Sequence, residues 1–463
     1  MTNAHLRKAM GFSDLVLFYV VTALSLRWIA TAAAAGPSSI VIWIAGCLAY
    51  FVPLTLCVLE LSSRYPEEGG MYVWSKKAFG EFAGFMTGWM YWTANLPYYP
   101  GVLYFAAGNA LFVAGDRWQH LSNSRSYFIA AALAGLAIGF SLNLIGLNIG
   151  KWLHNIGAVG TWLPAVMLVV MGTMAWIRFG SATHFGGGAI FPSFDLKNVF
   201  FWSTVAFAFG GMEGASTMAG EIQNPRRNIP RALLTAGVAI TVIYIAATFS
   251  VLTALPADEV SGLQGFMQAM SKVSGRIGFD AISPVAALLV TLSSVGGVSA
   301  WFAASSRIPF VAGVDRFLPS AFGRVHPKWR TPYIAMAVQA VLAGTFIFLG
   351  QAGTSVKGAY DFLVGMGVLS YFLPFFYMFC AVIRLQRDPP GPGTIRIPGG
   401  KSVVICLALL GLLTTTISSI LACLPPDDEP NKALAVLKLL GSSGCLVGIG
   451  AVVYWIGRRR TRR

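Results

Sequence analysis

The sequence predicts an all-α polytopic membrane protein with twelve spanning helices, and three observations carry that prediction. Only 11% of the 463 residues are charged, while 56% are hydrophobic. Twelve apolar stretches each reach the roughly 20 residues that a helix needs to cross a hydrocarbon core of about 30 Å. Basic residues are shared unevenly between alternate loops. Most of the 33 lysines and arginines fall on the side of the N-terminus, among them Arg64, Lys76, Lys77, Arg226, Arg227 and Arg307, or in the tail from Arg458 to Arg463. The opposite loops hold a minority, such as Arg117, Arg125 and Lys272. By the positive-inside rule both termini are cytoplasmic, as an even number of spans requires. The net charge of +15 then reflects topology and attraction to anionic membrane lipid, and no nucleic acid is needed to explain it.

The first span, near 13–34, is interrupted. Thr22-Ala23-Leu24-Ser25-Leu26-Arg27 sets two hydroxyls and a full charge at mid-depth. It is too long for a signal-peptide core and has no cleavage site after a short one, so it is expected to remain as a span. The second runs over 39–62. The third, 80–113, exceeds one crossing and must tilt or run on beyond the membrane. It carries Trp89, Trp92, Asn95, Tyr98 and Tyr99 around prolines. These side chains either line a pathway or belong to an interfacial aromatic belt. Spans four and five cover 126–145 and 152–177.

The sixth span, 198–220, is interrupted by Phe207-Ala208-Phe209-Gly210-Gly211-Met212-Glu213-Gly214. Glycine weakens a helix by about 1 kcal/mol relative to alanine, and a mid-membrane glutamate is costly as well. Spans one and six run in opposite directions. Polar breaks at matching depth in two antiparallel halves point to an inverted-repeat transporter. A kinked bundle with a buried ion pair is the competing reading.

Span seven, 230–255, leads to an outside segment, 256–281, in which Gly262 to Val273 is amphipathic. That piece is either a short helix over the outer face or a solvated connector. Span eight, 282–306, has a small-residue face of Ser293, Ser294, Gly296, Gly297 and Ser299 that suits close helix packing. The inside segment 307–331 follows, then spans at 332–350, 359–383, 402–424 and 433–457. The six cysteines are scattered through apolar spans without metal-ligand spacing, which reads as free thiols. His5, His120, His184 and His326 lie in loops or tails, and His154 is near the inner end of span five. No metal-protease helix, nucleophile elbow or phosphate loop occurs, so no enzymatic chemistry, metal or cofactor is expected.

Four motifs, in order and on matching membrane sides, resemble the amino acid–polyamine–organocation (APC) permease family. Glu60-Leu61 with Pro66-Glu67-Glu68-Gly69-Gly70-Met71-Tyr72 is similar to the family's signature after span two. Glu221, Asn224-Pro225, Arg227, Ile229-Pro230 and Ala232 match its motif after span six. Ser306-Arg307 follows span eight, and Phe317-Leu318-Pro319 with Thr331-Pro332 completes the set. The resemblance covers roughly 11–385. It implies a LeuT-like fold in which residues 1–385 form a 5+5 inverted-repeat core, with spans 11–12 and a basic cytoplasmic tail in 386–463. It also implies alternating-access transport of amino acids or related amines across a bacterial-type inner membrane. A polyamine or organic-amine exchanger remains open, as does a receptor or channel that binds without transport.

On that resemblance, substrate sits at Thr22, Ala23, Leu24 and Ser25 of span one and at Phe207, Ala208, Gly210 and Gly211 of span six. Asn95 and Tyr98 are further lining candidates. Many family members carry glycines at the span-one break. Here Thr22-Ala23-Leu24 has none, and Ser25-Leu26-Arg27 is closer to the glutamate/GABA antiporter-like branch. Three readings of Arg27 are open: it binds a substrate carboxylate, pairs with Glu213, or snorkels outward. Glu213 matches a proton-sensing position of the family's arginine/agmatine antiporters, against a fixed structural ion pair. If the two charges share the region between the breaks, they are expected to interact. Phe207 matches the aromatic gate, against simple packing. Sodium-coupled relatives use span-eight hydroxyls as ligands. Span five has no lysine or arginine between Lys151 and Arg178, so the lysine that replaces sodium in some proton-coupled members is missing. Proton or counter-substrate coupling is therefore left open.

Overall fold

Helices dominate because a chain in hydrocarbon must satisfy its backbone internally. The computed structural model describes residues 6–193, 196–351, 356–389, 391, 393–423 and 432–461. His5 and the tail residues Arg462 and Arg463 lie outside the described residues. The first half contains α1 (Phe12–Ala23), α2 (Leu26–Ala34), α3 (Ser39–Gly46), α4 (Val52–Arg64), α5 (Met71–Phe79), α6 (Glu81–Ala110), α7 (Arg125–Ile145) and α8 (Leu147–Phe179). The second contains α9 (Leu196–Ala208), α10 (Pro225–Ala254), α11 (Gly265–Ile277), α12 (Ile282–Val314), α13 (Tyr333–Gly350), α14 (Val356–Leu385), α15 (Gly400–Leu421) and α16 (Lys432–Thr461).

Ten segments among the described residues are long and apolar enough to cross a membrane. Two of the twelve expected spans fall outside those ten. One is α6, whose apolar content is diluted by Asn, Tyr and Pro. The other is the sixth span, cut off after the 13 residues of α9. The third span does run long, as α6 has 30 residues and so extends about 45 Å at 1.5 Å per residue. The amphipathic piece outside span seven is a helix, α11, with Phe266, Met267, Met270 and Val273 buried against the bundle. It is a packed element rather than a solvated connector.

Helices pack here through small residues and hydrogen bonds, since lipid removes the hydrophobic drive between spans. The small-residue face of span eight shows how. A Cβ on Gly157 of α8 would sit 2.7 Å from the Gly296 Cα of α12, so the two backbones touch. Ser293 shares a hydrogen bond with Thr161 at 2.5 Å, and Asn143 donates to the Ser299 hydroxyl at 2.7 Å. Those span-eight hydroxyls are spent on packing. All six cysteines are free.

Candidate functional site

Spans one and six both break at mid-depth, for different local reasons. Between α1 and α2, Leu24 (φ −98, ψ 107) and Ser25 (φ −115, ψ 120) are extended. After α9, Gly211 turns at φ 113, a conformation that costs a side-chain-bearing residue dearly. A Cβ there would also meet the Thr22 carbonyl at 3.0 Å and the Ala23 Cα at 3.1 Å. The two breaks therefore lie against each other. Gly210 is needed for a separate reason, since a Cβ would strike the Tyr371 ring at 2.7 Å.

A tyrosine from α10 ties the breaks together. The Ser25 N–H donates to the Tyr244 hydroxyl at 3.0 Å. That hydroxyl lies 2.9 Å from the Ala23 carbonyl and 3.0 Å from the Ala208 carbonyl, one from each break. Trp43 stacks on the Tyr244 ring at 4.3 Å. On the other side, the Trp301 indole N–H donates to the Thr22 carbonyl at 3.1 Å, and the Leu24 N–H donates to the Val20 carbonyl at 3.0 Å. The amides of Leu24 and Ser25 are thus already occupied by protein.

A cavity opens beside the joined breaks, lined by Thr22, Ala23, Ser25, Trp28, Ala94, Asn95, Tyr98, Phe207, Ala208, Gly210, Trp301 and Tyr371. Its volume is about 20 Å³, room for a single water. Phe207 is the hub of its cover. Its ring meets Tyr371 at 4.8 Å, Trp28 at 5.5 Å and Tyr98 at 6.3 Å, edge to face in each case. Asn95 donates to the Tyr91 carbonyl at 2.7 Å, which fixes its side chain.

The two charges expected near the breaks lie in separate settings. Glu213 is fully buried. It accepts from the Tyr371 hydroxyl at 2.5 Å, the Tyr91 hydroxyl at 3.0 Å and the Gly211 N–H at 3.1 Å. Arg27 is 2% exposed and stacks over Trp28 at 4.2 Å and Tyr98 at 5.1 Å. Its Nε has no hydrogen-bond partner. No ion pair joins Arg27 to Glu213 among the described residues. The expected contact is replaced by tyrosine hydroxyls on one side and aromatic faces on the other.

Of the residues singled out from sequence, Thr22, Ala23, Ser25, Asn95, Tyr98, Phe207, Ala208 and Gly210 line the cavity. Gly211 supports it from behind. Leu24 is buried outside the lining, and Arg27 stands one ring away, behind Trp28 and Tyr98. Trp92 and Tyr99 turn elsewhere, to Gln339 at 2.8 Å and Ser305 at 2.5 Å. Sequence reasoning missed Trp28, Trp301, Tyr371, Tyr91 and Tyr244. Tyr244 left a trace, a lone aromatic among small and aliphatic neighbours.

Beyond Glu213, charged side chains close the basic end of the bundle. A 3₁₀ segment, Gly214–Glu221, continues span six. Arg307 of α12 is fully buried and pairs with Glu221 at 2.7 Å through Nε and 3.0 Å through Nη2. The Glu221 carbonyl accepts from the N–H groups of Ala9 and Met10, and Gln223 N–H donates back to the Met10 carbonyl at 2.9 Å. Lys76 and Tyr72 both reach Asp315 at 2.6 Å, and Lys151 pairs with Asp14 at 2.9 Å.

Known proteins resemble this chain in sequence and fold. The amino acid permease family profile matches residues 9–441. An uncharacterized transporter of Legionella pneumophila, lpg1691, is 30% identical over 96% of this chain and 95% of its own. The probable agmatine/putrescine antiporter AguD of Lactococcus lactis is 25% identical, covering 92% of this chain and 90% of its own. The serine/threonine exchanger SteT of Bacillus subtilis is 26% identical over 73% and 72%. Among solved structures, MhsT in complex with L-phenylalanine superposes with a TM-score of 0.63 at 14% identity, over 90% of this chain and 99% of its own. That likeness shows a common LeuT-like fold.

Proposed function

The chain belongs to the amino acid permease family and is a membrane transporter of amino acids or related amines, not an enzyme, and from that premise we propose that its cargo carries a carboxylate bound by Arg27. The observation that carries this reading is the buried guanidinium with an unpartnered Nε. An arginine in the membrane costs at least ~2.5–3.5 kcal/mol, and stacking on two rings returns only part of that. An anionic group would supply the rest. The usual alternative, bare amides at the span-one break, is narrowed because Leu24 and Ser25 already donate to Val20 and Tyr244. The cargo's amine then lies toward the cavity floor, where Tyr371 connects to Glu213.

In this reading Phe207 is the gate, and Thr22, Ser25, Asn95 and Tyr98 contact cargo together with Trp28, Trp301 and Tyr371. Twenty ångström cubed holds no amino acid, so the aromatic cover must swing aside for entry. The bundle sits in the inner membrane with its basic end and both chain ends cytoplasmic. Residues 1–385 form the transport core, while 386–463 supply spans 11–12 and a basic cytoplasmic tail. Coupling runs through a proton or an exchanged counter-substrate.

A polyamine exchanger is the second reading, favoured by Glu213 beneath the cavity. Thermal-shift and counterflow measurements on purified protein in vesicles separate the two. Amino acids and GABA are expected to stabilise wild type and to exchange, and Arg27→Met to lose both responses. A response to putrescine or agmatine that survives Arg27→Met would overturn the carboxylate reading in favour of an amine.

A further inference from the structure

The Pro-Glu-Glu-Gly-Gly loop between α4 and α5 places two adjacent glutamates in opposite circumstances. Glu67 points outward into a solvent-exposed pair with Lys77 at 3.1 Å. Glu68 turns inward onto the 3₁₀ segment of span six. The Gly220 N–H donates to Glu68 Oε2 at 2.6 Å, and the Gly69 N–H donates to the Thr217 carbonyl at 3.1 Å. A Cβ on Gly70 would collide with the Ser216 hydroxyl. The loop is therefore seated directly on the segment that closes the basic end. Its second oxygen, Glu68 Oε1, is enclosed and has no hydrogen-bond partner.

The charge count at this spot does not balance. Two carboxylates, Glu68 and Glu221, face one guanidinium. Arg307 commits Nε and Nη2 to Glu221, and Nη1 to the Ala303 carbonyl at 2.7 Å and the Ser306 hydroxyl at 2.9 Å. Lysines of this end are engaged elsewhere: Lys76 with Asp315, Lys77 with Glu67, and Lys151 with Asp14. One carboxylate is left over in an enclosed interface. A buried oxygen without a donor is costly, and a proton bound there removes the surplus charge.

We propose that Glu68 is a proton-binding site built into the basic-end closure, loaded while that end is shut and emptied into the cytoplasm when it opens. Burial, and then the Glu221 carboxylate, push the Glu68 carboxyl up to about 8, outweighing Arg307 and the Gly220 amide. Once the loop lifts and water reaches it, the group returns to the ordinary value of about 4.3. Because the shut form has the raised value, its extra stability is full below about 4.3 and is lost as pH rises through about 8. At neutral pH, opening therefore releases one proton. The site is independent of what the cargo is, so it stands or falls separately from the carboxylate reading of Arg27.

The test is infrared spectroscopy of the full chain in lipid vesicles, labelled with ¹³C-glutamate and titrated from pH 6 to 9. Wild type is expected to show a labelled protonated-carboxyl band that disappears around pH 8. Glu68→Gln removes it, Glu68→Asp moves it out of the labelled set, and Glu67→Gln leaves it in place. A parallel readout is the labelling of Ser216→Cys by a water-soluble thiol reagent. Measured relative to a fully exposed cysteine, whose own thiolate fraction rises over this range, it should gain several-fold between pH 6 and 9, and that relative gain should vanish when Glu68→Gln is added. No labelled band titrating between pH 7 and 9, or a band that survives both Glu68 variants, overturns the proposal. A relative gain in labelling over the exposed-cysteine reference that persists in Glu68→Gln does so equally.

Discussion

The two closures that flank the cavity are made of different materials. The aromatic cover consists of Phe207, Trp28, Tyr98, Trp301 and Tyr371, meeting edge to face with no ion pair among them. The basic end is shut by the Arg307–Glu221 pair, the Asp315 cluster and main-chain bonds from Ala9 and Met10. Each edge-to-face ring contact is worth about 0.5–1.5 kcal/mol and tolerates rotation. A bidentate buried ion pair tolerates almost none, and breaking it from one side costs about 3–5 kcal/mol. The cover can thus open by turning rings one at a time. The basic end opens only when whole elements separate with their charges rehydrated together.

Breaking the ionic closure should produce the largest effect. Arg307→Ala and Glu221→Ala are each expected to lower stability by about 3–5 kcal/mol, seen as a large fall in Tm in detergent. The paired change Arg307→Met with Glu221→Leu should recover most of it. Single losses below about 1 kcal/mol would mean the two closures do not differ in kind. Next comes the tie between the breaks. Tyr244→Phe strands the Ser25 N–H and a break carbonyl, so a loss of about 1–3 kcal/mol in Tm-derived stability is expected, with transport falling alongside.

The aromatic cover should behave in the opposite way. Phe207→Ala is expected to cut transport by about tenfold or more, equivalent to about 1.4 kcal/mol, with little change in Tm. Phe207→Trp should keep more activity than Ala. Parallel loss of stability and transport would reduce Phe207 to packing. The smallest effect is a missing one. Arg27 and Glu213 share no partner, so the stability changes of Arg27→Met and Glu213→Gln should add within about 0.3–0.5 kcal/mol. Strong non-additivity would show that the charges meet in another conformation.

The broken spans were legible because much of their cause is local: Gly210 and Gly211 beside Glu213, and Thr22, Ser25 and Arg27 within one apolar stretch, weaken the helix at those points. The separation of Arg27 from Glu213 was not legible. It depends on which side chains arrive from α6 and α14, namely Tyr91, Tyr98 and Tyr371; Tyr98 stood out as a lining candidate, but nothing local marks Tyr91 or Tyr371 among the 15 tyrosines in the chain. Tyr244, though a lone aromatic in its span, was missed because its hydroxyl acts 219 residues away from Ser25. Span eight lay between these cases. Its small residues announced a close contact, but whether they met a helix or an ion depended on Gly157 and Thr161 of α8. Glu67 and Glu68 are identical in type and adjacent, and only the fold separates an outward pair from an enclosed carboxyl.

The parallel bridge between Met10 and Ile222 sets a clock on biosynthesis. The two strands of this stitch leave the ribosome about 212 residues apart, which at roughly 5–20 residues per second is a delay on the order of 10–40 s. Throughout that interval the first spans are already inserted while the amides of Ala9 and Met10 have no carbonyl to meet. The nascent protein consequently passes through a stage in which its basic end stands open, and full closure waits longer still, until the eighth span delivers Arg307 to Glu221 and Asp315 to Lys76.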